Sequence, residues 1–338
     1  MRRFSMLALA SAAASLLPAQ SVLPAQPGEV KTFRLSPEVT AQDFQDIATA
    51  ALMMSDLVTA RSSDAARREF TVSGTADQIE AAEWVITELD RPASATPLPP
   101  SAFYTLKTKQ PANRPAENTM RVFYPGQISS AQDLMEVSTA IRTISDIRRV
   151  SVYTSHRAIV VTGTREEVEF VEWMLAELNR DVPGETHLFP KEDSRKENSV
   201  RIVRFSRAKD VQAFNETQTM IRTLTDMRRV YPHVSRRTIL MRGTEEQVDL
   251  AKWLVTQVDK ELPAAQGSAS AEYATKDGQV VKMFYFNGST ALQAFNETQT
   301  TIRTNVGIRQ IYPHASYRTL AARGTPAQIA QISTLLPK

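Results

Sequence analysis

The sequence predicts an α+β protein made of four tandem β-α-β-β-α modules, and three observations carry that prediction. Residues 214–223 (FNETQTMIRT) recur at 295–304 (FNETQTTIRT), 81 positions later. Within each copy, apolar residues fall at helical steps between short β-rich segments. A Gly-Thr pair followed by Gln or Glu three residues after the threonine occurs four times at matching places. Fixed-period self-similarity of this kind marks a repeat architecture.

The third copy shows the elements most clearly. Val200–Phe205 reads as a first strand, and Val211, Phe214, Thr217, Ile221 and Leu224 form one stripe of an amphipathic helix. Arg229–Val234 and Thr238–Arg242 read as a hairpin turning at Ser235-Arg236. Gly243-Thr244 then opens a second helix, with Gln247 completing a capping box that satisfies two otherwise orphaned backbone donors. The same box recurs as Thr75 with Gln78, Thr164 with Glu167 and Thr325 with Gln328. Pro326 in the last copy stands at the first helical position, where a missing N–H costs nothing.

Outside this core, Arg228, Tyr231, Pro232, His233, Arg237 and Arg242 return as Arg309, Tyr312, Pro313, His314, Arg318 and Arg323. The second copy keeps Ile141-Arg142-Thr143 and Arg148-Arg149-Val150, and the first is the most diverged. The modules are read at residues 31–91, 120–181, 200–261 and 280–338. The intervening segments 92–119 (rich in proline, a stiff composition), 182–199 and 262–279 are read as linkers. Asp277-Gly278 is a hairpin-turn signal that would give the fourth copy an extra leading strand, and Phe103–Leu106 is the analogous candidate in the second.

At 338 residues, with 42% hydrophobic and 23% charged residues, the composition is that of packed globular structure. Cysteine is absent, which excludes disulfides, thiol nucleophiles and cysteine-ligated metals. Arg2 and Arg3 precede an apolar run from Met6 to Leu17, and small residues follow at Ala19 and Ala25. That pattern reads as a signal peptide over residues 1–25. Its removal would lower the net charge from +3 to +1, and a nearly neutral exported protein is a poor candidate for nucleic-acid binding.

Residues 71–90 (TVSGTADQIEAAEWVITELD) and 239–259 (ILMRGTEEQVDLAKWLVTQVD) resemble the repeated periplasmic N-terminal modules of secretins, the outer-membrane channels of type II and III secretion and type IV pili. The resemblance runs over residues 31–338 apart from linkers. It implies small KH-like modules that stack side by side and contact inner-membrane partners. A secretin would continue into a β-rich membrane gate, whereas this sequence stops at Lys338. A periplasmic or outer-membrane-associated scaffold fits better than a channel, with a secretin pore subunit, inner-membrane secretion or pilus components, or a second copy as its partners.

Candidate chemistry is sparse. The sequence has four histidines, His156, His187, His233 and His314, and the last two are repeat equivalents in Tyr-Pro-His, which points to a shared structural role. No P-loop, Gly-x-Gly-x-x-Gly, His-Glu-x-x-His or Gly-x-Ser-x-Gly motif occurs, so no catalytic residue, cofactor, metal or small-molecule substrate is expected. A KH-like topology raises nucleic-acid binding as the alternative, during DNA uptake, but no Gly-x-x-Gly clamp lies between the helices. An envelope hydrolase with an unrecognised site is the third reading. Charge is the more informative signal: the four modules carry −5, −2, +4 and +5 in order. Repeated arginines, Arg142, Arg222 and Arg303 together with Arg157, Arg237 and Arg318, are the candidate interaction residues, since opposite-sign patches steer partners into register.

Overall fold

The structure is a computed structural model. It describes residues 28–57, 59–92, 98–107, 118–128, 130–180, 187–189, 196–207, 210–260, 270–286 and 292–336, without the side chains of 59–62 and 292–296. The signal peptide read at residues 1–25 lies outside the described residues.

The first module runs β1 (Glu29–Arg34), α1 (Ala41–Met54), β2 (Thr59–Asp64), β3 (Glu69–Gly74) and α2 (Ala76–Leu89). The second comprises β4 (Tyr104–Thr105), β5 (Thr119–Phe123), α3 (Ala131–Ser145), β6 (Arg149–Tyr153), β7 (Ala158–Gly163) and α4 (Arg165–Leu178). The third comprises β8 (His187–Leu188), β9 (Ser199–Arg204), α5 (Val211–Thr225), β10 (Arg229–His233), β11 (Thr238–Gly243) and α6 (Glu245–Val258). The fourth comprises β12 (Ser270–Ala274), β13 (Val280–Tyr285), α7 (Leu292–Val306), β14 (Gln310–His314), β15 (Thr319–Gly324) and α8 (Pro326–Leu335). The predicted α+β class and the β-α-β-β-α grammar are both observed.

Each sheet is antiparallel with the strand after the hairpin at its centre: β1-β3-β2, then β4-β5-β7-β6, β8-β9-β11-β10 and β12-β13-β15-β14. The two anticipated leading strands form as β4 and β12, the latter turning at Gly278 with φ 80°. A third, β8, lies in residues 182–199, which read as linker because a two-residue strand has no periodicity to detect.

All four capping boxes close as read. Thr244 accepts from the Gln247 backbone at 3.2 Å, and Gln247 accepts from the Thr244 backbone at 2.9 Å. The glycine before the threonine is part of this device. A Cβ on Gly243 would stand 2.7 Å from the folded-back Gln247 Oε1. A fifth box, Thr40 with Asp43, starts α1.

The modules do not stand apart as beads on linkers with their sheet faces free, which is what separate small cores would give. Helix α1 packs on β6, α3 on β10 and α5 on β14. Each later sheet is therefore covered by its own helices on one face and by the preceding module's helices on the other. Burial records this directly: β7 and β11 are buried at all six positions, while β3 alternates between buried and half-buried ones. The apolar clusters run through the junctions. Phe44, Ile47 and Met54 share a cluster with Met120, Val122, Tyr153 and Val160. Ile144 and Leu175 share one with Val200, Ile202 and Leu240. Met220 and Leu224 share one with Val281, Met283 and Ala321. The result is a column of alternating sheet and helix layers.

Candidate functional site

The buried polar groups of the molecule concentrate at the three joints of this column, and the repeat makes the joints variations on one design. Each begins where the first helix of a module ends. Asp56, Asp146 and Asp226 sit there in the left-handed conformation, with φ of 56°, 61° and 56°. A short polar side chain tolerates that backbone region better than most. Each carboxylate then meets the edge strand of the next module: Arg149 Nη1 lies 2.7 Å from Asp56, Arg229 Nη2 2.8 Å from Asp146, and Gln310 Nε2 2.9 Å from Asp226.

The far end of the same strand holds Tyr153, His233 or His314, each with no exposed surface. The Nδ1 of His233 stands 3.0 Å from Glu136 Oε2, and its Nε2 stands 3.2 Å from Asp133 Oδ1. In the next joint His314 Nδ1 is 2.9 Å from Glu216 Oε2, and its Nε2 is 2.9 Å from the Thr217 hydroxyl. The turn beyond each histidine closes on the same glutamate: the backbone N–H groups of Ser235 and Ser316 donate to Glu136 at 3.1 Å and Glu216 at 2.8 Å. Burial pushes the His233 imidazole below its ordinary value, against the pull of Asp133 and Glu136. Burial also raises the Glu216 carboxyl, but His314, Gln212 and the Ser316 backbone outweigh it and bring it down to about 2.

On the central strand, Arg242 is 1% exposed and reaches across the joint. It donates to Ile144 O at 2.9 Å and Glu197 O at 2.8 Å, and its guanidinium lies 3.4 Å from the Phe189 ring centre. The last carbonyls of a helix carry its negative dipole end, so a guanidinium is favoured there. Arg323 repeats the contact on Leu224 O at 2.9 Å, whereas the first joint has Thr162 against Met54.

A second strip of each joint uses tryptophan. The chain has three, and each packs against an aromatic ring of the following module's leading strand: Trp173 stacks on His187 at 4.1 Å, while Trp84 meets Tyr104 at 5.0 Å and Trp253 meets Tyr273 at 5.5 Å with the rings tilted. The fourth module lacks these devices. Thr301, Asn305, Gly307 and Thr334 replace Met220, Leu224, Asp226 and Trp253 at the equivalent positions, and all four are exposed. A polar outer face is the mark of a capping repeat.

The arginines singled out from sequence lie elsewhere. Arg142, Arg222 and Arg303 donate to Val150 O at 2.5 Å, Val230 O at 3.0 Å and Ile311 O at 3.3 Å, fastening the first helix to the edge strand of its own module. Arg157, Arg237 and Arg318 occupy the hairpin turns with φ of 51°, 51° and 48° and are exposed. The joint residues Asp146, Asp226, Arg229 and Arg242 are not among the interaction residues expected from sequence, although the three tryptophans, the duplicated histidines and the recurrence of Arg242 as Arg323 were a usable signal. Among the described residues no group of three His, Asp or Glu side chains is arranged to hold a metal, and no helix is long and apolar enough to cross a membrane.

No protein-family model matches the sequence, and no curated protein matches it. Five chains of solved structure match. One is ExeD of Aeromonas hydrophila, a type II secretion secretin, at 13% identity and a TM-score of 0.17, over 64% of this chain and 40% of that one.

Proposed function

We propose that the protein is a non-enzymatic, exported docking scaffold of the secretin N-module type, serving a secretion or type IV pilus assembly. The observation that carries this reading is where the reactive side chains are used. His233, His314, Glu136, Glu216, Arg242 and Arg323 are consumed in holding one module to the next. One hydroxyl does meet an oriented imidazole, Thr217 against His314 and Glu216, but Thr217 donates to Ala213 O at 2.7 Å and neither Thr217 nor His314 has exposed surface, so the group is placed for packing and not for attack on a substrate. Repetition of a layered unit gives a stiff rod with a long lateral surface, which suits holding partners at fixed spacing.

Isolation of the tagged full chain from envelope fractions, with mass measurement of the assembly and of the amino terminus, tests the proposal. A processed amino end in an envelope complex with secretion or pilus components is the expected result. A free cytosolic protein with residues 1–25 intact would overturn it.

A further inference from the structure

Three arginines of the fourth module stand outside the joints. Arg309 precedes β14, Arg318 lies in the β14–β15 turn, and Arg303 projects from α7 onto Ile311 O. All three are exposed, and Arg309 and Arg318 form no ion pair among the described residues. Strand β14 is the edge of its sheet, so three guanidinium groups border one edge of about 17 Å, five residues at roughly 3.4 Å each.

That edge is closed to strand addition. Ile311 O already accepts from Gln299 Nε2 at 3.1 Å and from Arg303, and Pro313 has no N–H to offer. Recognition there must run through side chains. The second and third modules carry the same arginines, Arg142, Arg148 and Arg157, then Arg222, Arg228 and Arg237. In the second module, however, Asp146 lines the same depression as Arg142 and Arg148, and Asp226 holds the equivalent place in the third. The fourth has Gly307 at that position, and residues 280–338 contain one acid, Glu297, against six basic residues.

Resting on the docking role proposed above, we infer that the β14 edge of the fourth module binds an acidic segment of a partner protein, its carboxylates pairing with Arg303, Arg309 and Arg318. Guanidinium groups match carboxylates in bidentate geometry. Single-stranded nucleic acid is disfavoured because the nearby rings, Tyr312 and Tyr317, are half-buried and offer no stacking platform. Three cations are also few beside the six to ten phosphate contacts of a typical duplex binder.

The test uses the full chain with labelled poly-L-glutamate, a 20-base-pair duplex and phosphatidylglycerol vesicles as separate probes, at about 50 and 200 mM salt. Poly-L-glutamate binding is expected to weaken with salt and to fall about tenfold or more in R309E/R318E, while R148E/R157E in the second module leaves it unchanged. Both substitution pairs are exposed, and unchanged melting temperatures confirm that the fold is intact. Equal losses in the two variants would overturn the assignment. So would tighter binding of the duplex or vesicles through the same arginines, or self-association of the parent that R309E/R318E abolishes. Envelope co-isolation retained by a variant that has lost poly-L-glutamate binding would sink this inference alone and leave the scaffold reading standing.

Discussion

Replacing Arg242 by methionine isolates what a joint contributes. The stem is kept in length, so packing is largely preserved, and what vanishes is the guanidinium. Two buried carbonyls, Ile144 O and Glu197 O, lose a donor, at roughly 1–3 kcal/mol each for a polar group left unsatisfied. The cation over Phe189 at 3.4 Å adds about 1 kcal/mol or more in a desolvated site. The contact with Asp146 at 3.3 Å counts for less, because that carboxylate is 51% exposed and keeps Arg229 as a partner. Relaxation recovers part of the sum, which leaves about 3–5 kcal/mol, the range found when one member of a buried charged pair is removed. In a repeat column stability is close to a sum of module and nearest-neighbour contributions. The loss therefore falls on the joint between the second and third modules. Calorimetry of R242M is expected to show the unfolding of the two halves separating, with exchange protection lost first at Ile144–Asp146. The comparison variant is R222M: its arginine is exposed and bonded within its own module, so about 0.5–1.5 kcal/mol with no splitting is expected. A single transition in R242M, displaced no further than in R222M, would refute the account of the joints.

Acid should open the joints in order. The His233 imidazole lies below its ordinary 6.5, so the folded state resists protonation and the joint between modules two and three weakens as pH falls below about 6.5. Protease sensitivity appearing there near pH 6 and abolished in H233Y, the tyrosine of the first joint, is the expected result; sensitivity that survives the substitution would contradict it. Glu216, held at about 2 against an ordinary 4.5, stabilises the last joint fully above pH 4.5 and loses that contribution toward pH 2. The loss is on the order of 3 kcal/mol and should be missing from the acid titration of E216Q. Truncating Trp173 to alanine removes its stack on His187 and is expected to cost about 2–4 kcal/mol in urea unfolding, because a half-buried indole loses area as well as the ring pair. Restoring the joint side chains on the terminal face, T301M/N305L/T334W, should raise the sedimenting mass with concentration above that of the parent; an unchanged mass would show that the face is not a cap.

The local grammar was legible because its causes are local. A capping box spans four residues, and the helical stripe of α5 needs only local spacing: Phe214, Thr217, Ile221 and Leu224 are buried as read, while Val211, the first residue of the helix, is 56% exposed. The joints were not legible in the same way, since His233 and Glu136, or Arg242 and Ile144, are about a hundred residues apart. One clue to the stacking was present. The central strand of the first module, EFTVSG, alternates, whereas AIVVTG and TILMRG do not. An unbroken run signals a strand covered on both faces. A hairpin-edged module with two helices can supply only one cover, so the second had to come from a neighbour.

The charge gradient from −5 to +5 follows from the same geometry. Every joint sets acids of one module's first helix against basic or polar groups on the next module's sheet: Asp146 and Asp133 against Arg229 and Arg236, Glu216 against His314. The first module presents a helix face, and among the described residues no other module's helix packs on its sheet; it carries Asp43 and Asp56, with Ser73 where later sheets place Arg242 and Arg323. The fourth has a predecessor on its sheet but a polar terminal helix face, so it keeps Arg323 and has dropped the aspartate to Gly307. Complementary charges that pair across the joints are thus in excess of opposite sign in the first and fourth modules. Arg323 and Lys282 are also neutralised within the fourth module, by Asp277 at 3.0 Å and Glu272 at 2.6 Å. Arg309 and Arg318 make no ion pair across a joint among the described residues, and Arg303 bonds within its own module, to Ile311 O. If the gradient were wholly a by-product of stacking, R309E/R318E would change nothing but electrophoretic mobility, and the difference between that outcome and lost binding separates structural charge from functional charge.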